Sequence, residues 1–273
     1  MQKYSILMSV YGKDNPEYFK TAVDSILQQT VPPDQIVIVV DGPVPKAIDV
    51  IIEQYIENEK LFTILRHDKN CGLAASLNEG LENCRNELVA RMDSDDISQP
   101  ERCEKELHKF EKEPNLVICG CNIDEFYGQP DNVKTSRVVP TQYKDILRFA
   151  RRRQPFNHPT VMYKKSKVLE CGGYPLLKRK EDFDLFSRML TAGCYAENID
   201  ESLYLYRANE DNYARRKSWT NTKSAIHVYT RHLKRKGCSA VDFLYVCMAE
   251  VAFFILPVGI MKKLSDNFLR KKV

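Results

Sequence analysis

Residues 5–92 repeat one pattern, a short apolar run followed by an amphipathic helical stretch, and that alternation constrains the fold more tightly than any compositional figure. Ser5 to Val10 reads as a buried strand, and Pro16 to Gln28 as a helix with Phe19, Ala22, Val23 and Ile26 on one face. Pro32-Pro33 closes the unit. Gln35 to Val40 is a second, β-branched strand ending at Asp41-Gly42-Pro43, and Lys46 to Glu59 follows as a helix striped by Ile48, Ile51, Ile52 and Tyr55. A third strand, Phe62 to Leu65, leads through a loop ending at Asn70-Cys71-Gly72 into a helix carrying Leu73, Leu77 and Leu81, and then into the strand Leu88 to Met92. Repeated strand-then-helix units predict an α/β fold, a mostly parallel, Rossmann-like sheet with helices on both faces. At 273 residues and 43% hydrophobic content, the chain can bury a sizeable core.

Open sheets of this kind bind ligands outside the carboxyl ends of their strands. Asp41, Asn70 and the turn Asp93-Ser94-Asp95-Asp96 all fall there. Carboxylates that close together repel, and two acids one residue apart at a strand end can share a hard cation through oxygen. The same four residues would equally serve as a solvated turn or a helix start. Neither GxGxxG nor GxxxxGK[ST] occurs, so any phosphate charge must be met by a metal and not by a glycine-rich backbone cradle. A formal charge of +4 gives no case for nucleic acid. Nine cysteines without a CxxC pair, the nearest being Cys119-Gly120-Cys121, predict reduced thiols. The N-terminal residues lack a signal-peptide apolar region, and the expected location is inside the cell.

After Pro114 the pattern loosens. Leu116 to Cys121 reads as a strand, Tyr127 to Val139 as a polar loop, and Thr141 to Arg151 as a helix running into Arg151-Arg152-Arg153, a phosphate contact or a solvated face. Asn157-His158-Pro159, Gly172-Gly173-Tyr174 and Glu181-Asp182 follow in loops or at helix starts, where acids are ordinary first-turn residues.

Taken in order, the stretch Ser5 to Tyr11, Asp41-Gly42-Pro43, Asn70-x-Gly72-Leu73, Asn78-x-Gly80, Asp93-Ser94-Asp95-Asp96, Asn157-His158-Pro159, Gly172-Gly173-Tyr174 and Glu181-Asp182 resembles the family 2 glycosyltransferases of the GT-A fold, particularly those of bacterial capsule, exopolysaccharide and O-antigen assembly. The resemblance spans about the first 210 residues. It implies a GT-A domain over residues 1–215, with a nucleotide-binding half of about 1–98 and an acceptor half of about 99–215. It implies that Asp41 pairs with the nucleotide base, that Asp93 reaches ribose and metal, and that Asp95 is the direct ligand of Mn²⁺ or Mg²⁺. Asn70 and Gly72 would belong to the donor site, Tyr11 would border the base or pack, and Arg207 would contact diphosphate in a closed state. Asp182, ahead of Glu181, looks like the base that deprotonates the acceptor. His158, Gly173 and Tyr174 look like acceptor-side elements, His158 having the alternative of a hydrogen-bonded ring beneath a loop. The implied activity is that of an inverting hexosyltransferase moving sugar from a nucleotide-sugar, a UDP-sugar being expected, to a saccharide carried on a polyprenyl diphosphate. A nucleotidyltransferase and a non-catalytic scaffold are the alternatives. Leu77 departs from the family, where an Arg often precedes the Asn of Asn-x-Gly.

Residues 216–273 form a separate basic and apolar tail. The apolar stretch Val241 to Leu256 is interrupted by Asp242 and Glu250 and stopped by Pro257, and a mid-span acid costs about 2–3 kcal/mol on insertion scales. Asp242, Tyr245, Ala249 and Glu250 share one helical face. With Arg231, Lys234, Arg235 and Lys236 before it and Lys262, Lys263, Arg270, Lys271 and Lys272 after it, residues 238–273 are expected to lie in the plane of the inner leaflet of the cell membrane. A helix packed on the catalytic domain, or on a partner in a homodimer, is the alternative.

Overall fold

The computed structural model describes residues 2–57, 60–208, 217–257, 259 and 271–272. The boundary expected at 215, the last two residues of the Lys46–Glu59 helix, and Lys262, Lys263 and Arg270 lie outside the described residues.

The opening units form as expected: β1 (Tyr4–Tyr11), α1 (Pro16–Leu27), β2 (Gln35–Asp41), α2 (Lys46–Ile56), β3 (Phe62–Arg66), α3 (Leu73–Asn83) and β4 (Leu88–Met92). Asn15 starts α1 by accepting the N–H groups of Glu17 at 2.8 Å and Tyr18 at 3.3 Å, with Pro16 in the first turn. Strands β3, β2, β1 and β4 lie side by side and parallel; β2, β1 and β4 are buried on both faces, which is why their sequences are nearly continuous apolar runs, and β3 is the half-buried edge. Successive side chains feed two cores. Ile6, Met8 and Val10 join Phe19, Ile26, Ile48 and Ile52 on one side, while Leu7, Val37 and Val39 join Ala74, Leu77 and Leu81 on the other. Leu77 is wholly buried there and is a core position in this chain.

Beyond β4 the sheet is mixed. The order is β5 (Ile97–Ser98), α4 (Arg102–Lys112), β6 (Leu116–Phe126), β7 (Val133–Arg137), α5 (Tyr143–Ala150), a 3₁₀ turn at His158–Thr160, β8 (Met162–Lys164), α6 (Lys165–Glu170), α7 (Glu181–Thr191) and β9 (Tyr195–Arg207). Strand β8 enters antiparallel between β4 and β6, whereas β9 runs parallel to β6 and closes back on β5. The segment Tyr127–Val139, expected as a polar loop, contains β7, which pairs antiparallel with β6. Its polar sequence reflects a half-solvated strand, and Lys271–Lys272 (β10) pairs with its outer edge.

The tail is a helical hairpin, α8 (Trp219–Lys234) and α9 (Ala240–Ile255). Ser239 and Asp242 cap α9 reciprocally. The polar face read from the sequence is the face that docks: Asp242 meets Arg152 at 2.5 Å, Tyr245 stacks on the same guanidinium at 4.7 Å, and Glu250 meets Lys180 at 3.2 Å. Val246 is buried with Phe183, Val228 and Tyr229. Val241, Leu244, Met248 and Ile255 point outward, 58–70% exposed. No helix of the described residues is long and apolar enough to cross a membrane. All nine cysteines are unpaired.

Candidate functional site

The parallel strands bring Tyr11, Asp41 and the turn after β4 to one edge of the sheet, with Tyr11 and Asp41 directly opposite each other in register. Buried Asp41 organises the loop after β3: its carboxylate accepts the N–H groups of Cys71 at 2.7 Å and Gly72 at 2.9 Å and the Asn70 amide at 3.0 Å. His67 Nδ1 lies 3.0 Å from the same carboxylate and its Nε2 2.5 Å from Glu79, and the bond to Asp41 holds the ring's pKa above its ordinary value despite burial. Gly42 is required here, because at φ +83° a Cβ would stand 2.5 Å from the Asn70 nitrogen.

Around the acidic turn every group is tied to another element. Asp14 accepts from the Tyr11 N–H at 3.0 Å and the Ser94 hydroxyl at 2.7 Å, joining the loop after β1 to the turn. Arg91, fully buried, donates to Asp93 at 2.5 Å and to the Met92 carbonyl. Asp96 is buried and accepts the Arg207 N–H at 2.7 Å, while Arg207 Nε donates to the Asp95 carbonyl at 2.8 Å. The Arg207 guanidinium is sandwiched against Tyr18 at 3.8 Å and Phe126 at 4.6 Å, so it braces the turn from β9. Asp95 is the most exposed of the three acids, yet it lies deep among protein atoms; that surrounding, then Asp93 and Asp14, pushes its carboxyl up to about 6.

The donor chemistry of this place suits a divalent cation. Three carboxylates, Asp14, Asp93 and Asp95, press on one another, their oxygens are hard donors, and the one most raised in proton affinity is the one that solvent and ligand can reach. Among the described residues, the trio whose donor atoms all fall within 4.8 Å of one another is instead Asp41, His67 and Cys71. That set mixes imidazole and thiol with a carboxylate already hydrogen-bonded on both oxygens, and it suits a softer ion than one that bridges diphosphate.

The acceptor-side residues gather from three segments. Asn78 on α3 holds the loop before α7 by a two-point clamp, donating to the Tyr174 carbonyl at 2.8 Å and accepting its N–H at 2.7 Å. Gly173, at φ +62°, makes that possible, since a Cβ would come within 2.7 Å of the Asn78 oxygen. Tyr174 is buried and meets the site through His158, whose Nε2 is 3.0 Å from the Tyr174 hydroxyl. Burial and then Arg91 lower His158 to about 4, leaving a neutral ring at neutral pH. Glu181 and Asp182 open α7 half-buried. Burial opposes ionisation of Asp182, but His158, the Gln154 amide at 2.8 Å, the Phe183 N–H and Lys180 outweigh it and hold the carboxyl below its usual range. Burial and the neighbouring Asp182 push Glu181 up to about 7. His158 feels both Asp93 and Asp182, and Arg91 acts on Asp93, His158 and Glu181, so the two halves of the sheet edge form one electrostatic group.

Sequence reasoning missed Arg91, Gln154, Asp14 and His67. Arg91 carried the only available signal, a charge inside an otherwise apolar strand.

Comparison with known proteins is consistent with this geometry. Residues 5–180 match the family described as Glycosyl transferase family 2. The chain is 33% identical over 264 residues to the amylovoran biosynthesis glycosyltransferase AmsE of Erwinia amylovora, covering 97% of this chain and 98% of that one. It is 33% identical over 273 residues to the UDP-Gal:alpha-D-GlcNAc-diphosphoundecaprenol beta-1,3-galactosyltransferase of Escherichia coli, covering 98% of each. Among solved structures, the mannosyltransferase PcManGT of Pyrobaculum calidifontis, in complex with GDP-Man and Mn²⁺, superposes with a TM-score of 0.67 at 15% identity, over 93% of this chain and 70% of that one. TarS 1–349 of S. aureus with UDP-GlcNAc gives 0.59 at 17% identity, over 85% and 72%. At such identities the likeness establishes the shared fold.

Proposed function

This chain belongs to glycosyl transferase family 2, and on that premise we propose that it is an inverting, metal-dependent enzyme that moves a sugar from a UDP-linked donor to a saccharide on a polyprenyl diphosphate lipid. It is a glycosyltransferase with the α/β, GT-A-like fold, and its relatives include enzymes of bacterial polysaccharide assembly. The observation that supports the finer reading is that Asp93, beside Asp95, and Asp182 both act on His158, while Asp95 is raised and Asp182 lowered in proton affinity, because opposed shifts mark acid–base and charge-binding roles. The name of the E. coli relative supports the UDP donor and the lipid-linked acceptor.

Asp95, with Asp93 beside it, would hold Mn²⁺ or Mg²⁺, whose chemistry when bound is to stabilise the charge that develops on the leaving diphosphate. Arg91 keeps Asp93 turned toward the site. Asp41 would meet the nucleotide base, a uracil N–H replacing the Asn70 or His67 donor, with Tyr11, Asn70 and Gly72 bordering it. Asp182, ionised at neutral pH, takes the proton of the acceptor hydroxyl as that oxygen attacks the anomeric carbon opposite the diphosphate. Gln154 and the Phe183 N–H fix that carboxylate at any pH, and neutral His158, supported by Tyr174, offers the acceptor a hydrogen bond. Residues 238–273 would hold the enzyme on the cytoplasmic leaflet, where such an acceptor resides.

Titration with a panel of nucleotide sugars, with and without Mn²⁺, tests the reading. A UDP-sugar is expected to bind only with metal, Asp95→Ala is expected to abolish that binding, and Asp182→Asn is expected to leave it intact while lowering turnover by about a hundredfold or more. Failure of every UDP-sugar to bind in the presence of metal would reject it.

A further inference from the structure

Lys180 is the residue immediately before the carboxylate pair, and it stands in the left-handed conformation at φ +66°, which non-glycine residues adopt only when their surroundings impose it. The surroundings here come from the tail. Lys180 Nζ lies 3.2 Å from Glu250 on α9, and the other Glu250 oxygen accepts from Asn221 on α8 at 3.4 Å. The Lys180 and Glu250 side chains are 32% and 18% exposed, so the pair is partly withdrawn from solvent. Phe183, the residue after Asp182, stacks on Tyr229 of α8 at 4.7 Å and packs with Val246 of α9. Thus the residues on either side of Glu181-Asp182 are held by a segment outside the sheet domain.

We propose that Glu250 is a positioning residue for the catalytic pair, tethering Lys180 beside Asp182 so that the tail hairpin completes the active site. The inference rests on Asp182 as the base. Asp182 is faced by Glu181 and Lys180 on its own segment, by Gln154, His158 and Tyr174 from the loops beneath, and by Tyr229 from α8. Among these Lys180 is the cation whose position Glu250 sets, and its charge favours the ionised base.

The test is a mutant cycle on the full chain with a soluble acceptor analogue, free of vesicles. Glu250→Gln is expected to lower kcat on the order of tenfold and leave the donor KM unchanged, because the untethered Lys180 no longer fixes where Asp182 points, and to move the acid limb of kcat/KM to higher pH, because the lysine charge no longer favours the ionised base. Lys180→Met is expected to do the same, and the double variant is expected to be no worse than Lys180→Met alone. Wild-type kcat and pH profile in Glu250→Gln, or effects that simply multiply in the double variant, would overturn the inference. Wild-type turnover in Asp182→Asn would instead overturn the base assignment, so the two failures are told apart in one set of assays.

Discussion

At the scale of single residues, the site is decided by how neighbouring carboxylates are held apart in proton affinity. Glu181, pushed up to about 7 by burial and by Asp182, gains its proton as pH falls through neutrality, while Asp182 stays ionised. Each proton taken up by Glu181 removes a negative charge beside the base and weakens it. The expected result is a shallow decline of kcat/KM below about pH 7, by less than tenfold, that disappears in Glu181→Gln, whose profile is flat until Asp182 itself titrates. A full loss of activity in Glu181→Gln would mean that Glu181 is the base. The acidic turn and the Glu181-Asp182 pair stand out in the sequence because each is a run of charge at a strand or helix end, and Asp41 because it closes an apolar strand. Asp14 and Gln154 do not. Their roles come from residues far along the chain, Gln154 and Asp182 being 28 positions apart and Asp14 and Ser94 being 80.

At the scale of elements, the periodic patterns through β4 gave both type and order, since strands buried on two faces and helices with one apolar stripe are the cases in which sequence period and burial coincide. Strand β7 escaped because Val133-Lys134-Thr135-Ser136-Arg137 is half-solvated, and its pairing with β6 is a tertiary fact. The docking of α8 escaped for the same reason. Arg231 and Arg235 read as a cluster facing anionic lipid, yet both turn inward with Arg188 onto Asp184, which is fully buried on α7 at 2.9 Å from Arg188 and 3.1 Å from Arg235. Arg188 in turn bonds the Gly173 carbonyl at 2.5 Å, so this one carboxylate links the tail, α7 and the acceptor-side loop. Removing it leaves the partly buried Arg188 and Arg235 guanidinium groups without their carboxylate. Asp184→Asn is expected to cost about 3 kcal/mol or more in urea unfolding, whereas Arg231→Met, at 3.7 Å and 40% exposed, is expected to cost under about 1 kcal/mol. Equal costs would show that the cluster is not organised around Asp184.

At the scale of the molecule, the tail turns its charged face to the protein and its apolar face to solvent, the reverse of an ordinary surface helix. Val241, Leu244, Met248, Val251 and Ile255 recur every three or four residues along the open side of α9. Lys234 and Lys236 stand exposed at the hairpin turn beside Val241, and Trp219, half-exposed, pairs with Phe254 at the other end at 5.6 Å. An apolar stripe bordered by cations and an amphipathic aromatic ring matches the headgroup boundary of an anionic bilayer, each cation contributing about 1 kcal/mol near such a surface. Fully burying a Leu or Met side chain contributes about 1.5–3 kcal/mol, so the Leu244→Glu/Met248→Glu double variant is expected to weaken sedimentation with phosphatidylglycerol vesicles by at least about a hundredfold. Its turnover on a soluble acceptor is expected to stay at the wild-type level, because neither residue lies on the face that meets Arg152 and Lys180. Unchanged vesicle binding, or a wild-type chain that dimerises through this stripe and ignores lipid in analytical ultracentrifugation, would assign the face to a second copy and leave the membrane to be reached by other residues.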